Sequence, residues 1–386
     1  SRLIYNILLK LGFCTGIACT GEIKIGIETV EKGDTTGFLS ARRVLTDKRV
    51  EAAVLETARG GILRNGLGYE KAKAAIITSL SEDHFGMDGI NNLQDLIKIK
   101  SVVLEEICRD GKWVLKAQED IIEEARRIAH RRKKEGPEER SFEEIASLVS
   151  IDRTDMIEEH IKAGGESYFI EDGFIIRGKD KKMDRLASVG EIPFTYGGLS
   201  KANILNIMFA ISAISTIEKD TGKLVTMIRN IPCDIEYNPG RQNILKLGEV
   251  KVLIDYGHNA EAYEFIYSIV RGLKPSRVTS VITVAGDRTD SHIKGLGYRA
   301  GMESERIIIR EQADRRGSLK GRVAGLLEKG ALEAGIHESS IIFIEDAGEA
   351  LSYALEEAVS GEVIVIFTEE HERVLRRLSE RSFVPL

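Results

Sequence analysis

Polar side chains follow two predicted strands in the first quarter of the chain. Glu56 ends the apolar run AAVLE, and SLSEDHFGMDGI places Asp83 and His84 after the run KAAIITSL at residues 73–80. Ligands of open parallel α/β sheets bind at the carboxyl ends of strands, so we expect Glu56 and His84 to converge on one crevice. A carboxylate and an imidazole suit a divalent metal that also touches phosphate oxygens. The alternative is that His84 only caps a helix or packs against its neighbours.

A second group of polar residues follows a predicted strand late in the chain. IDYGHNAEAYE places Asp255 at a strand end and His258 and Asn259 at the start of a helix. A strand-end aspartate often holds a ribose hydroxyl, and a helix amino terminus attracts anions. The alternative is that Asp255 and Asn259 only cap that helix. The segment AGDRTD (residues 285–290) repeats the pattern after the next predicted strand.

The first part of the chain alternates short apolar runs with helical patterns. Strands are predicted at residues 52–57 and 73–80, and a helix is predicted at 93–107. This alternation favours a parallel α/β sheet with helices on both faces. Further on, SYFIEDGFIIR (residues 167–177) predicts a hairpin, and a helix is expected at 201–219.

A domain boundary is predicted at residues 232–238, where IPCDIEYNPGR carries two of the six prolines within eight residues. The expected domains are therefore 1–232 and 238–386. In the second domain the alternation restarts and predicts a doubly wound, Rossmann-like fold. Its strands are predicted at residues 250–257, 278–286, 306–310, 341–345 and 362–368.

The composition excludes several classes of protein. The chain has 386 residues, with 55 Lys and Arg against 61 Asp and Glu, so no overall basic field indicates a nucleic-acid partner. The four cysteines form no CxxC pair, which is typical of reduced thiols in a cytoplasmic protein. No run of about 18 apolar residues is present, so no membrane span is expected.

Residues 119–145 are dense in both charge signs. The segment could be a basic patch for an anionic polymer, or a solvent-exposed helix interrupted at Gly136 and Pro137. We favour the exposed helix, because such charge runs are usually solvated faces.

No GxxxxGK[ST] phosphate loop occurs, and GEIKIG lacks both the lysine and the hydroxyl residue. The chain opens on the helical stripe of SRLIYNILLK without a preceding strand. We therefore expect the printed sequence to begin inside a domain, with the phosphate loop upstream of Ser1.

Several long motifs together resemble the Mur ligase superfamily, and within it the ligase half of cyanophycin synthetases. They are LETARGGILRNGLGYEKAKAAIITSLSEDHFGMDGI with LQDLIKIKSVV, NPGRQNI, VLIDYGHNAEAY, AGDRTD and IIIREQADRRG. KGDTTGFLSARRVL and MIEEHIKAGGESYFIEDGFII fit the same branch, so the resemblance covers nearly the whole chain. It implies an α/β fold with a P-loop-type ATPase domain followed by a Rossmann-like domain.

The resemblance also implies an ATP-dependent amide ligase. A substrate carboxylate would attack the γ-phosphate to form an acyl phosphate, and an amino acid's amine would then displace phosphate. The implied cofactors are ATP and two Mg²⁺ ions. The implied partners are an amino acid and a peptide or polymer carboxylate acceptor, with no nucleic acid and no membrane.

Site residues follow from the matching motif positions. Glu56 and His84 would hold Mg²⁺, and Lys100 would carry a carbamate as an additional anionic ligand. Lys98, two residues earlier, would point elsewhere on the helix. Asn203 of KANILN matches an asparagine near the adenine.

Four further positions of the second domain match the family's nucleotide-binding segments. Arg241 of PGR and Asp255 match nucleotide-contacting residues. His258 and Asn259 match an AHNP-type segment, which here reads GHNA and lacks the proline. VLKAQED (residues 114–120) departs from the family's VLNADD and leaves the contacts there open.

Three functions are compatible with these residues. The leading one is a ligase of the cyanophycin type, which arginylates aspartate side chains. The second is a cell-wall ligase, murein or pseudomurein, acting on a UDP-linked peptide. The third is a non-catalytic Mur-like subunit, suggested by the missing phosphate loop.

Overall fold

The computed structural model describes residues 1–80, 90, 92–135, 140–312 and 314–386, which divide into two compact units, Ser1–Pro232 and Cys233–Leu386. Helices of the first unit are α1 (Arg2–Lys10), α2 (Phe38–Thr46), α3 (Arg59–Asn65), α4 (Leu93–Glu105), α5 (Glu119–Glu135), α6 (Phe142–Ile145), α7 (Asp155–Lys162), α8 (Lys201–Ile214) and α9 (Thr221–Ile228). Its strands are β1 (Thr15–Ile25), β2 (Glu28–Asp34), β3 (Ala52–Leu55), β4 (Ala72–Ile77), β5 (Ile107–Lys116), β6 (Ala146–Val149), β7 (Glu166–Glu171), β8 (Phe174–Lys179) and β9 (Lys182–Ser188).

The strands of the first unit form two mixed sheets. In the smaller sheet, of order β2-β1-β3, β1 pairs antiparallel with β2 and parallel with β3. The larger sheet has the order β4-β5-β6-β7-β8-β9. Its strands β4 to β7 are parallel, and β7, β8 and β9 pair antiparallel. The predicted α/β class is confirmed.

The expectation of one parallel sheet across the first part of the chain is wrong in one respect. The predicted strands at 52–57 and 73–80 form as β3 and β4, but β3 pairs with β1 whereas β4 pairs with β5. They therefore lie in different sheets of the same unit. Apolar periodicity predicts that a strand is buried, but it carries no information on which strand becomes its neighbour.

The core of the first unit is centred on Trp113 of β5. The Trp113 side chain is fully buried among apolar side chains of β4, β6, α4 and α5, and its indole N–H donates to the Leu104 carbonyl at 3.0 Å. A buried indole thus has its one donor satisfied. Helix α8 is buried on nearly all sides and packs against β4 and β5. It ends at Ile214, shorter than predicted.

The predicted hairpin is confirmed. β7 and β8 pair antiparallel around Asp172 and Gly173, whose φ angles are +51° and +74°. Two successive residues with positive φ match the twist of the flanking strands, and aspartate followed by glycine is a preferred sequence for such a turn.

The charge-rich helix α5 has one apolar side buried against the core and its basic side chains mostly exposed. Arg127 pairs with Glu124 at 2.6 Å, Arg126 lies 3.9 Å from Glu143, and Arg131 pairs with Glu105. These local pairs fit the exposed helix that the sequence analysis favoured. Gly136 and Pro137 lie outside the described residues.

The second unit is a single seven-stranded sheet with helices around it. The strands are β10 (Asn243–Leu247), β11 (Val250–Asp255), β12 (Val278–Ile282), β13 (Arg306–Ile309), β14 (Ile341–Phe343), β15 (Val363–Phe367) and β16 (Val384–Pro385). The helices are α10 (Ala260–Gly272), α11 (Asp290–Glu303), α12 (Arg322–Glu333), α13 (Ala347–Glu356) and α14 (His371–Glu380).

The strand order is β14-β13-β12-β15-β11-β10-β16. The five strands from β14 to β11 are parallel, and β10 and β16 pair antiparallel at one side. All five predicted strands of this unit form. The carboxyl ends of β11, β12, β13 and β15 therefore meet at one edge of the sheet. Among the helices of the described residues, none has both the length and the apolar character needed to cross a membrane.

Candidate active site

Glu56 is the first residue after β3, and its backbone and side chain are both bound to β1. The Glu56 N–H donates to the Ala18 carbonyl at 2.9 Å, and the Thr20 hydroxyl donates to Glu56 Oε1 at 2.9 Å. The side chain is half-buried. A carboxylate oxygen is the kind of ligand that Mg²⁺ prefers, so the donor chemistry of Glu56 fits a magnesium site.

His84 lies outside the described residues, as does Asp83, so the convergence of Glu56 with His84 stays a prediction. Leu80, the last described residue before them, is hydrogen-bonded through its backbone to the side chain of Gln118. Within the described ranges, no three or more His, Cys, Asp and Glu side chains gather as a metal-binding group.

Lys100 and Lys98 differ in exposure as the helical period predicts. Both lie on α4, which is capped by Asn92, whose Oδ1 accepts the Asp95 N–H at 2.9 Å. Lys98 is exposed, whereas Lys100 is half-buried. Helix α4 also packs against α3, the helix that follows Glu56 in the chain. A half-buried amine on this helix is the better candidate for modification.

Asn203 is buried in the first turn of α8, where its side chain holds local backbone. Its Nδ2 donates to the Phe194 carbonyl at 2.9 Å, and its Oδ1 accepts from Asn206 Nδ2 at 3.3 Å. Only 1% of the residue is exposed. These contacts fix the turn before α8, and its predicted place near an adenine stays a prediction.

Arg241 lies in the segment that precedes β10 and packs on an aromatic ring. Its guanidinium carbon is 4.2 Å from the centroid of the Tyr256 ring. Gly240 before it has φ of +69°, and a Cβ there would come within 2.5 Å of the His371 ring. Glycine is therefore required for both the backbone conformation and the close packing.

Asp255 ends β11 and binds backbone amides with both carboxylate oxygens. Oδ2 accepts the Gln242 N–H at 2.9 Å, and Oδ1 accepts the Gly257 N–H at 2.6 Å. Burial raises the pKa of Asp255, opposed by the charge of Arg241 and by the two amide hydrogen bonds. The carboxylate thus connects the segment preceding β10 to the end of β11.

Asn259 caps α10, and His258 contacts neighbouring side chains just before this helix. Asn259 Oδ1 accepts the Ala262 N–H at 2.9 Å, which is the capping alternative of the sequence analysis. The His258 carbonyl accepts a hydrogen bond from His292 Nε2 at 2.8 Å. The His258 ring meets Tyr256 edge to face, with centroids 5.4 Å apart. Roles of His258 and Asn259 toward a nucleotide stay predictions.

A polar chain that the sequence analysis missed extends from Tyr256 across this edge of the sheet. The Tyr256 hydroxyl donates to Glu369 at 3.3 Å, Glu369 lies 3.5 Å from Arg316, and Arg316 lies 3.4 Å from Asp287. Asp287 and Arg316 belong to AGDRTD and IIIREQADRRG, so those motifs were the available signal. Glu369 lies beyond the motifs and 113 residues from Tyr256 in the chain.

Arg322 of α12 holds the AGDRTD loop in place. Its guanidinium donates to the carbonyls of Gly286 at 3.0 Å and Arg288 at 3.1 Å, and it pairs with Asp290. A Cβ at Gly286 would lie 2.3 Å from the Arg315 carbonyl, so the two loops pack backbone to backbone. Charged groups of both signs are therefore fixed at the carboxyl ends of β12, β13 and β15.

Both units match models of one protein family. The model described as "Mur ligase middle domain" matches residues 1–214, and the model described as "Mur ligase, glutamate ligase domain" matches residues 240–369.

Two relatives illustrate the range of similar sequences. The chain is 31% identical over 384 residues to a cyanophycin synthetase of Nostoc sp., covering 100% of this chain and 41% of that protein. The chain thus spans about two fifths of the length of this relative. It is 24% identical to a UDP-N-acetylmuramoyl-L-alanyl-D-glutamate–2,6-diaminopimelate ligase of Geobacillus kaustophilus, covering 96% of this chain and 71% of that protein.

The fold is shared with a solved structure, that of a bifunctional folylpolyglutamate synthase/dihydrofolate synthase from Yersinia pestis complexed with AMPPNP and Mn ion. The TM-score is 0.67 at 14% sequence identity, over 99% of this chain and 85% of that chain. Because the first family model alone matches more than half of the 386 residues, the chain belongs to the Mur ligase family.

Proposed function

We propose that this chain is the ligase part of a protein that uses ATP to join an amino acid to a carboxylate. Members of the Mur ligase family are ATP-dependent amide ligases that form C–N bonds. The observation that carries the proposal is the similarity to cyanophycin synthetase along the entire chain, at 31% identity. The nearest precedent for the reaction is therefore the arginylation of an aspartate side chain.

In this proposal Glu56, His84 and a carbamylated Lys100 hold Mg²⁺. The bound ion would neutralise charge on the ATP phosphate oxygens and so favour attack by the acceptor carboxylate. Glu56 supplies an oxygen whose orientation is fixed by Thr20. Modification of Lys100 replaces an ammonium by an anion, which suits a cation site better than the free amine does.

The second unit would contribute to nucleotide binding through Arg241. Its guanidinium is extended against the Tyr256 ring, which limits its rotamers and presents a planar cation to a phosphate or adenine group. Asp255, bound to two backbone amides, acts on this view chiefly by holding the Arg241 segment in position. His258 and Asn259 of this unit, and Asn203 of the first unit, are proposed nucleotide-contacting residues on the strength of their motif positions.

The acceptor and the amino acid can be identified by measuring ADP release by the protein that the complete reading frame encodes. Arginine-dependent release with a β-aspartyl polymer would support the cyanophycin-type reaction. The relative from Geobacillus kaustophilus favours a cell-wall reaction as the second candidate, and release only with a UDP-linked peptide would support it. Absence of release with every acceptor would favour a non-catalytic subunit.

Two lysines of α4 provide a matched test of the carbamate. Lys100→Arg keeps the positive charge but cannot carry CO₂ as a stable carbamate, so we expect turnover to fall at least about a hundredfold, as for the loss of a group that acts in the transition state. Lys98→Arg, on the exposed side, should leave turnover unchanged. Equal turnover of the two variants would exclude Lys100 from the metal site.

A further inference from the structure

We propose that Thr20 is a positioning residue that orients the Glu56 carboxylate toward a divalent cation. The inference rests on the proposed function, in which Glu56 binds the metal. Among the described residues, Thr20 is the side chain that hydrogen-bonds this carboxylate, through a 2.9 Å bond to Oε1. With Oε1 engaged, Oε2 presents its lone pairs in a defined direction.

The backbone on either side of this hydrogen bond is also fixed. Glu56 is anchored by its N–H to Ala18 of β1, two residues before Thr20. The hydroxyl therefore comes from β1 and the carboxylate from the residue that follows β3, and their separation is set by the parallel pairing of β1 with β3. A ligand held on two strands loses less conformational freedom on binding a cation than an exposed glutamate does.

Thr20 itself lies within β1, opposite Asp34 of β2, and three side-chain contacts hold the strand there. Arg2 donates to the Thr20 carbonyl at 3.1 Å. The buried Thr35 hydroxyl lies 2.6 Å from the Cys19 carbonyl and 2.8 Å from the Glu22 carbonyl. The hydroxyl of Thr20 is thus carried on a rigid support, which is what orientation of a metal ligand requires.

The chemistry of the contact is suited to tuning a magnesium ligand. A neutral hydroxyl donor leaves the negative charge of the carboxylate in place, whereas a lysine or arginine partner would neutralise it. Groups that hydrogen-bond a metal ligand typically change metal affinity by about 10- to 100-fold when removed. Thr20 therefore has a role that the motif comparison did not assign to it.

The test is Mn²⁺ binding to the complete protein in the presence of AMPPNP, measured by electron paramagnetic resonance of free Mn²⁺. Thr20→Val keeps the shape and removes the hydroxyl, so we expect affinity to weaken about tenfold. Thr20→Ser should restore it. Thr46→Val, which removes an exposed hydroxyl bonded to the Arg42 carbonyl, is the matched control and should bind like the wild type.

Kinetics distinguish orientation from a general structural effect. Thr20→Val should raise the Mg²⁺ concentration needed for half-maximal rate while kcat recovers at saturating Mg²⁺. If Thr20→Val binds Mn²⁺ like the wild type while Glu56→Gln loses binding, the role of Thr20 is overturned but the metal site at Glu56 stands. Wild-type affinity in Glu56→Gln would overturn the metal site itself and with it the role of Thr20. If Thr20→Val does not fold, the same comparison between Thr20→Ala and Thr20→Ser decides the question.

Discussion

The side-chain amide of Gln118 hydrogen-bonds both backbone groups of Leu80, in the way that a neighbouring strand would. Nε2 donates to the Leu80 carbonyl at 2.9 Å, and Oε1 accepts the Leu80 N–H at 3.4 Å. Leu80 follows β4, and Gln118 follows β5, so the side chain continues the pairing of the two strands beyond their ends. Gln118 belongs to VLKAQED, so the residue that stands in place of the family motif's aspartate makes this contact.

Replacement of Gln118 by Leu should destabilise the first unit by about 1–3 kcal/mol, since it removes two hydrogen bonds and leaves part-buried backbone groups without them. Denaturant unfolding followed by tryptophan fluorescence would measure this, because Trp113 lies in the same core. Gln94→Leu is the matched control, as Gln94 is exposed and its amide makes a solvent-exposed hydrogen bond to Asp120 at 3.4 Å. An equal, small effect of both variants would contradict the structural role of Gln118.

Asp255→Asn should lower the stability of the second unit by about 1–3 kcal/mol, because asparagine offers one oxygen where two backbone N–H groups bind two oxygens. Asp234→Asn is the control. Both amides that bind Asp234, those of Glu236 and Tyr237, go to the same oxygen, Oδ1. Asparagine can keep that arrangement. Thermal unfolding without nucleotide would measure the stability of the two variants. Equal losses of stability would contradict the role given to the two Asp255 oxygens.

Glu166 should make the first unit sensitive to acid. Burial disfavours its charge, but Lys112, the Ser147 hydroxyl and Arg177 outweigh burial and lower the pKa of Glu166 to about 2 from its usual 4.5. Because the pKa is lower in the folded state, the stabilisation is present above pH 4.5 and is lost as the pH falls toward 2.

Glu166→Gln should therefore cost on the order of 3 kcal/mol at neutral pH, as when one partner of a buried ion pair is removed. The difference from the wild type should shrink between pH 4.5 and 2, the range set by the lowered pKa. Urea unfolding at a series of pH values measures it. Glu158→Gln, whose partners Arg153 and Lys162 are both exposed, should show little effect. A pH-independent difference for Glu166→Gln would count against this account.

Gly297→Ala and Gly295→Ala, both on α11, should change stability in opposite directions. A Cβ at Gly297 would lie 2.0 Å from the Leu327 carbonyl of α12, so alanine must push the two helices apart and should cost about 1–3 kcal/mol. At Gly295 no atom lies within 4 Å of the added Cβ. Alanine there should stabilise by about 0.5–1 kcal/mol through its better helix propensity.

Calorimetry of the two variants would measure the difference. Stabilisation by both substitutions would mean that α11 and α12 separate at no cost, against the close backbone approach described above.

The sequence by itself determined the class of fold and the family. Alternating apolar runs and helical stripes predicted the strands of the second unit and the hairpin at Asp172, because local burial imposes a period on the side chains. Predicted strand ends pointed to Glu56, His84 and Asp255, and the long motifs, carried over position by position, added Lys100 and Arg241.

Only the tertiary structure decided which groups meet. Strands were predicted at residues 52–57 and 73–80 and both form, but each pairs with a different neighbour, so the two strands lie in different sheets. Thr20 reaches Glu56 across 36 residues, and Tyr256 reaches Glu369 across 113. Periodicity reports that a residue is buried but not what it is buried against, since the partner is chosen by strand pairing and packing across the whole unit. The side chains that hold each candidate residue in position are therefore identified only by the tertiary structure, in which the strands lie side by side.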